Sequence, residues 1–346
     1  MNGAENLQQT LLDCGLEVCF ANPGTSEMQL VSAIGNSDRM RAVLCLFEGV
    51  VSGAADGYGR MKDKPALTLL HVGSGFANSM ANQHNAMRAH TPLVNMVGDH
   101  ATYHLQYDSP LTSNVAAHAE ISSSWVRASE SADDLAVAGA EAVQASMQGA
   151  GRTATFIAPA NHAWEEASQP ALALPQPGPL QVETETVKEV AELLANGKTT
   201  GLLLGGRALR EESLFAAGQI AKASGARILC ETFPARLQRG AGRVKVERLP
   251  YFSEQVEDHL EPFEQLILVG TKPPVSFFAY PGKKSWLTPE SCSIETLASV
   301  DHDILAALEA LRMEMGADAE PDLAAESPAK PAPSGELNPM AIGQSV

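Results

Sequence analysis

Apolar and polar positions along the chain fall into a repeating order of short apolar runs and amphipathic stretches. Residues 5–15 have helical spacing, Val18–Ala21 is a short apolar run, and Asn22-Pro23-Gly24-Thr25-Ser26-Glu27 carries the turn residues that open a helix. The order then repeats. Arg41–Phe47 reads as a strand, Gly49–Arg60 as a helix, Ala66–His71 as a strand, Ala77–Arg88 as a helix and Pro92–Val97 as a strand ending at Gly98-Asp99. Wholly apolar strands between helices are what a parallel sheet covered on both faces requires.

A Pro-rich break at Gln169–Pro179 precedes a second series: the strand Thr200–Leu204, Gly205-Gly206, the helix Glu211–Ser224, and the strands Ala226–Cys230 and Gln265–Gly270. The pattern predicts an α/β fold of two doubly wound parallel-sheet domains, at residues 1–165 and 180–312. Residues 313–337 are rich in Ala, Pro, Glu and Ser and read as a flexible linker. Asn338-Pro339 then looks like a helix cap with Pro at the first position, so 338–346 reads as the start of a truncated C-terminal domain.

Composition narrows the function classes. The 346 residues suit two domains of ordinary size, and no run approaches the roughly 18 apolar residues of a membrane span. The first residues lack the basic and apolar regions of a signal peptide, so the expected location is cytoplasmic. With 24 Lys and Arg against 41 Asp and Glu the formal charge is −17, which repels a phosphate backbone and argues against nucleic-acid binding. The five cysteines fall singly, without zinc-site spacing, and are expected to be reduced and mostly buried. His84, His90, His100 and His104 lack the spacing of a metal site on a helix, so no metal ligand is assigned.

Three features carry candidate chemistry. In the segment Val43–Gly59, Glu48 stands inside an otherwise apolar run at the strand-to-helix junction, and burial there requires that it find a partner or stay protonated. Gly49, Gly53 and Gly57 recur every fourth residue and form a smooth stripe that another backbone or a flat ring can approach. The segment His71-Val-Gly-Ser-Gly75 reads as a tight turn at a strand end, followed by a helix on which Asn78, Asn82 and Asn85 share one face. Taken alone, these features equally suit a surface helix dipole contact for Glu48 and simple solvation of the amides. No P-loop, nucleophile elbow or dinucleotide fingerprint is present.

Phe20-Ala-Asn-Pro-Gly-Thr-Ser-Glu27, Phe47–Arg60, Leu70-His71-Val-Gly-Ser-Gly75, His84-Asn85-Ala86 and Thr91-Pro92-Leu93, in that order and spacing, resemble the pyrimidine-binding domain of thiamine-diphosphate enzymes. The resemblance spans residues 1–165 and is to the acetolactate synthase and benzoylformate decarboxylase group. Residues 180–312 are similar to the family's central Rossmann-like domain, through their α/β rhythm and Leu203-Leu-Gly-Gly-Arg207.

The resemblance implies that Glu48 hydrogen-bonds the aminopyrimidine and promotes proton removal from the thiazolium ring. It implies cofactor contacts for Pro23, Gly24 and Asn78, and substrate-facing roles for Thr25 and His71. Thr25 departs from the family's Ser, keeping a hydroxyl and adding a methyl. Gly98–His104 departs from the acetolactate synthase loop. The family holds Mg²⁺ and the diphosphate through a Gly-Asp-Gly motif in a C-terminal domain; these residues contain no such motif, so the chain is expected to be inactive alone.

The expected activity is acetolactate synthase-like, on a 2-oxo acid, in a homodimer or homotetramer of the complete protein. A benzoylformate decarboxylase-like decarboxylase and a non-catalytic regulatory or binding subunit are the alternatives. FAD, which some acetolactate synthases hold in the central domain, is not expected because Gly205-Gly206 is only a weak glycine turn.

Overall fold

The computed structural model of the chain describes residues 1–326 and 332–345 and contains two parallel sheets, each covered by helices. The first sheet comprises β1 (Val18–Asn22), β2 (Arg41–Leu44), β3 (Ala66–Leu70), β4 (Leu93–Asp99), β5 (Trp125–Ala128) and β6 (Thr153–Pro159). Its order is β2-β1-β3-β4-β6-β5, with every pair parallel. The early helices are α1 (Gly3–Asp13), α2 (Met28–Gly35), α3 (Glu48–Lys62) and α4 (Val72–Arg88). Since β2 and β3 lie on opposite sides of β1, chain direction switches there, opening a crevice at the carboxyl ends of β1 and β3.

The second sheet comprises β7 (Thr200–Leu204), β8 (Arg227–Cys230), β9 (Glu247–Arg248), β10 (Gln265–Val269) and β11 (Ser293–Ala298), in the order β11-β10-β7-β8-β9. β7 and the helix Glu211–Ser224 have the expected bounds. Both are strongly written: β7 is buried at every position, and the helix starts with two acidic residues and stops at Gly225 with φ 78°.

Two of the boundaries that differ from expectation lie beside the crevice. β2 ends at Leu44 rather than Phe47, because its pairing with β1 runs out at Ala21, and α3 begins at once with Glu48. α4 begins at Val72, so Gly73, Ser74 and Gly75 form its first turn rather than a loop. The turn is bought with strain: Val72, a β-branched residue, holds φ at 42°.

A buried polar network crosses the first sheet beneath α4. Asn95 of β4 accepts from Thr68 (2.7 Å) and from the Gln83 amide (2.8 Å), and donates to Gln83 Oε1 (3.1 Å) and the Thr155 hydroxyl (3.0 Å). All four side chains are buried, so the network fixes α4 on the strands at one register.

The sheets are joined by ion pairs across the chain. Arg210 donates to Asp63 Oδ1 at 2.8 Å, Arg236 to the carbonyls of Arg60 and Met61, and Arg152 to Asp301 at 2.6 Å. The stretch expected to be a free linker is tied down at its start: Ala317 and Pro321 are buried, and Ala324 exchanges backbone hydrogen bonds with Gly242 and Arg243. Residues 327–331 of that stretch, and Val346, lie outside the described residues. Asn338 caps the helix Pro339–Ser345, accepting from the Ala341 N–H at 2.9 Å. Cys19, Cys45, Cys230 and Cys292 are buried and Cys14 half-buried, all as free thiols, and burial pushes the Cys19 thiol up to about 12.

His162 is buried against Ser129 (2.9 Å), and desolvation lowers its pKa; burial, reinforced by Arg152, lowers that of His90. The unfolded chain therefore takes up these protons first. Stability present above about pH 6.5 is expected to fall as pH drops from there through the lower folded-state values. Urea midpoints at about pH 7.5 and about pH 5.5 check this, and His162→Gln should flatten the difference.

Candidate functional site

The carboxyl edge of the first sheet gathers the six candidate site residues. Pro23, Gly24 and Thr25 follow β1, Glu48 opens α3, His71 follows β3 and Asn78 lies on the second turn of α4. Asn22 anchors the first loop by donating to the Cys45 carbonyl at 2.7 Å, and Pro23 then sets the turn into Gly24.

Glu48 is buried, at 8% exposure, and has the partner that burial demands: Asn78 Nδ2 donates to its Oε2 at 3.0 Å. Oε1 takes no hydrogen bond from the described residues and is not sealed from solvent, so it is free to accept a further partner. The N-terminus of α3 lends its positive dipole end to this carboxylate. A side chain at Gly75 would start 2.9 Å from Oε1 and would press on the Glu48 carboxylate. The residues flanking Glu48 in the chain are apolar and unburied: Leu44, Leu46, Phe47 and Val50 are all exposed, Leu46 at 92%.

The amide face of α4 divides its work. Asn78 serves Glu48, Asn82 donates to the Gly49 carbonyl at 2.7 Å and ties α4 to α3, and Asn85 reaches only Asn82 at 3.4 Å. The glycine stripe of α3 is likewise used mostly within the fold. Gly49 makes room for the Phe47 ring and Gly53 for the Asn82 amide, whereas Gly57 faces open space.

His71 is half-buried and its Nδ1 lies 2.8 Å from Glu27 Oε2. Thr25 is exposed at the start of the turn Thr25–Glu27, and its hydroxyl has no hydrogen-bond partner among the described residues. Glu27 is the residue that sequence reasoning missed. It is fully buried, and the same Oε2 accepts the Gly24 N–H at 2.8 Å. Gly24 followed three residues later by Glu27 is a capping-box spacing, which foretold the contact to Gly24 but not the one to His71, 44 residues away. Next to it, Asp99 ends β4 with its pKa raised by burial, offset by the His100 N–H and raised further by the Glu27 charge. His100 and His104 stay in the loop beyond, where His100 Nε2 meets Ser109 at 3.2 Å and His104 packs on Tyr107.

Residues 1–122 match the family model for the N-terminal TPP binding domain of thiamine pyrophosphate enzymes. Over 311 residues the chain is 49% identical to a Mycobacterium tuberculosis protein provisionally named acetolactate synthase large subunit IlvX, covering 89% of this chain and 60% of that one. Benzoylformate decarboxylase of Pseudomonas aeruginosa is 37% identical over 84 residues, 24% of this chain and 16% of the relative. Among solved structures, the thiamine diphosphate-dependent 4-hydroxybenzoylformate decarboxylase of Rhodococcus jostii superposes with a TM-score of 0.81 at 22% identity, covering 97% of this chain and 66% of that one. Benzoylformate decarboxylase of Polynucleobacter necessarius gives 0.79 at 18% identity, over 99% and 67%. At these identities the structures establish the fold, and the chain spans about 60% of the length of its M. tuberculosis relative. The chain is thus homologous to thiamine-diphosphate-dependent enzymes, and the α/β architecture of two doubly wound parallel sheets is theirs. No helix among the described residues is long and apolar enough to cross a membrane.

Proposed function

We propose, from this homology, that the chain supplies the pyrimidine-facing wall of a thiamine-diphosphate site acting on a 2-oxo acid, with acetolactate synthase-like chemistry. The observation that carries the reading is Glu48: a buried carboxylate at a helix start, oriented by Asn78, with one oxygen left open. A protonated ring nitrogen of an aminopyrimidine suits that oxygen, so the residues fit the cofactor. Pro23, Gly24 and Asn78 would border the ring. When bound, thiamine diphosphate supplies the nucleophilic carbon and the electron sink for decarboxylation. Glu48 holds and returns a proton at the pyrimidine. His71 and the Thr25 hydroxyl meet the substrate's carboxylate and oxygen.

A second reading, decarboxylation without carboligation, is favoured by the placement of Thr25 and His71 after the neighbouring strands β1 and β3 and by the likeness to benzoylformate decarboxylase. We place the Mg²⁺ and diphosphate contacts in a part of the complete protein outside these residues, which contain no Gly-Asp-Gly segment. The complete protein is taken to be a homodimer or homotetramer.

Calorimetric titration of thiamine diphosphate and Mg²⁺ into the chain is expected to give no binding heat. Tight Mg²⁺-dependent binding would place a diphosphate site within these residues and overturn that part of the reading. The complete assembly is expected to release carbon dioxide from pyruvate, with acetolactate as product; release from phenylglyoxylate with benzaldehyde as product selects the second reading. Consumption of neither sinks both.

A further inference from the structure

We infer that Glu27 is the positioning residue for His71: it fixes the imidazole as the Nδ1–H tautomer and leaves Nε2 as the ring's free proton acceptor on the open side of the crevice. Four observations carry this. Glu27 is fully buried, and its Oε2, which already accepts the Gly24 N–H, lies 2.8 Å from the ring Nδ1, an arrangement that assigns the donor role to the ring nitrogen. The carboxylate is itself held by the Gly24 N–H at 2.8 Å, within the turn that follows β1. The ring is also clamped on its face, because it lies over Gly24, where a Cβ would come within 2.3 Å of its Cε1. Nε2, finally, has no hydrogen-bond partner among the described residues and is not an enclosed atom.

The fold has made room for this carboxylate. Gly98, at the end of β4, stands where any Cβ would collide with Glu27 Oε1, and that oxygen has no partner of its own. A buried carboxylate with one idle oxygen is a costly choice if packing were the only need. Glu27 and His71 come from the two loops that flank the switch between β1 and β3, so the pair sets the distance between the Thr25 loop and the start of α4. Ring tautomer and orientation are dictated by the hydrogen bond at the other nitrogen, and a histidine so held presents one defined proton site to whatever enters.

The inference rests on the proposed substrate-facing role of His71, but its test does not. Two-bond ¹H–¹⁵N correlation spectra of the ¹⁵N-labelled chain in mildly alkaline buffer report the tautomer of each neutral histidine, and His71→Gln assigns the signal. The expected result is Nδ1–H for His71, retained in Glu27→Gln, whose amide oxygen still accepts, and lost towards Nε2–H in Glu27→Leu. Finding Nε2–H in the unaltered chain overturns the inference whether or not any variant folds, because it means that Glu27 donates rather than accepts. So does an unchanged tautomer in a folded Glu27→Leu. In the complete assembly, Glu27→Leu should lower kcat about tenfold or more, Glu27→Gln should recover most of it, and Glu27→Leu combined with His71→Ala should be no slower than His71→Ala alone. An assembly without 2-oxo acid activity would sink the proposed function and leave the tautomer result standing.

Discussion

Glu48→Gln is expected to reduce kcat of the complete thiamine-dependent assembly by about 10²- to 10⁴-fold, the range that a positioned proton-transfer group contributes. The substitution is nearly isosteric and keeps an acceptor for Asn78 Nδ2, so the contact at 3.0 Å survives and α3 keeps its place against α4. What disappears is the ability to hold and release a proton at the open oxygen. Thermal midpoint should be unchanged or slightly raised, because a buried ionisable group has been replaced by a neutral one. Steady-state kinetics with a melting curve separate the two quantities. A variant that stays fully active refutes the role given to Glu48 and favours the reading of a non-catalytic subunit.

Asn95→Ala is expected to have the largest effect on stability. The substitution strands the Thr68 hydroxyl and both ends of the Gln83 amide, whose hydrogen bonds all run to Asn95. Each buried polar group left unpaired costs about 1–3 kcal/mol, so a loss of about 3–5 kcal/mol is expected. Against a total of about 5–15 kcal/mol for a typical protein, that is a large share. Urea unfolding checks it as a lower midpoint at unchanged slope. Asn95→Leu combined with Gln83→Met removes both partners and should recover a good part of the loss. If Asn95→Ala unfolds at the same urea concentration as the unaltered chain, the network does not hold α4.

The contrast between these two sites marks what the sequence made legible. β7 and the helix Glu211–Ser224 were readable because their signals are local: a strand buried along its whole length, and a helix with acids at one end and glycine at the other. Glu48 was readable for the same reason, as the single carboxylate in an apolar run, and the structure supplies its partner in Asn78. The start of α4 was misread because Gly73 and Gly75 carry the usual mark of a loop. Their small size instead admits neighbours from far along the chain: a Cβ at Gly73 would collide with Ser113, and one at Gly75 would crowd Glu48. Glu27 was half legible, its bond to Gly24 being local and its bond to His71 spanning 44 residues. Asn95 gave no warning, since a polar residue within Leu93–Asp99 becomes a network only once β3, β4 and β6 lie side by side.

The left-handed backbone of Val72 has a consequence for how portable this site is. A valine at φ 42° resists its own conformation by about 1–3 kcal/mol, so the peptide from Leu69 to Phe76 on its own would relax into something else. What holds it is the remainder of the domain: β3 on one side, the buried amides under α4 on the other, and Glu27 across the crevice. Transplanted into another scaffold, the motif would carry its side chains but not their arrangement. The unit that evolution or an engineer can move intact is the whole first sheet with its helices, never the loop.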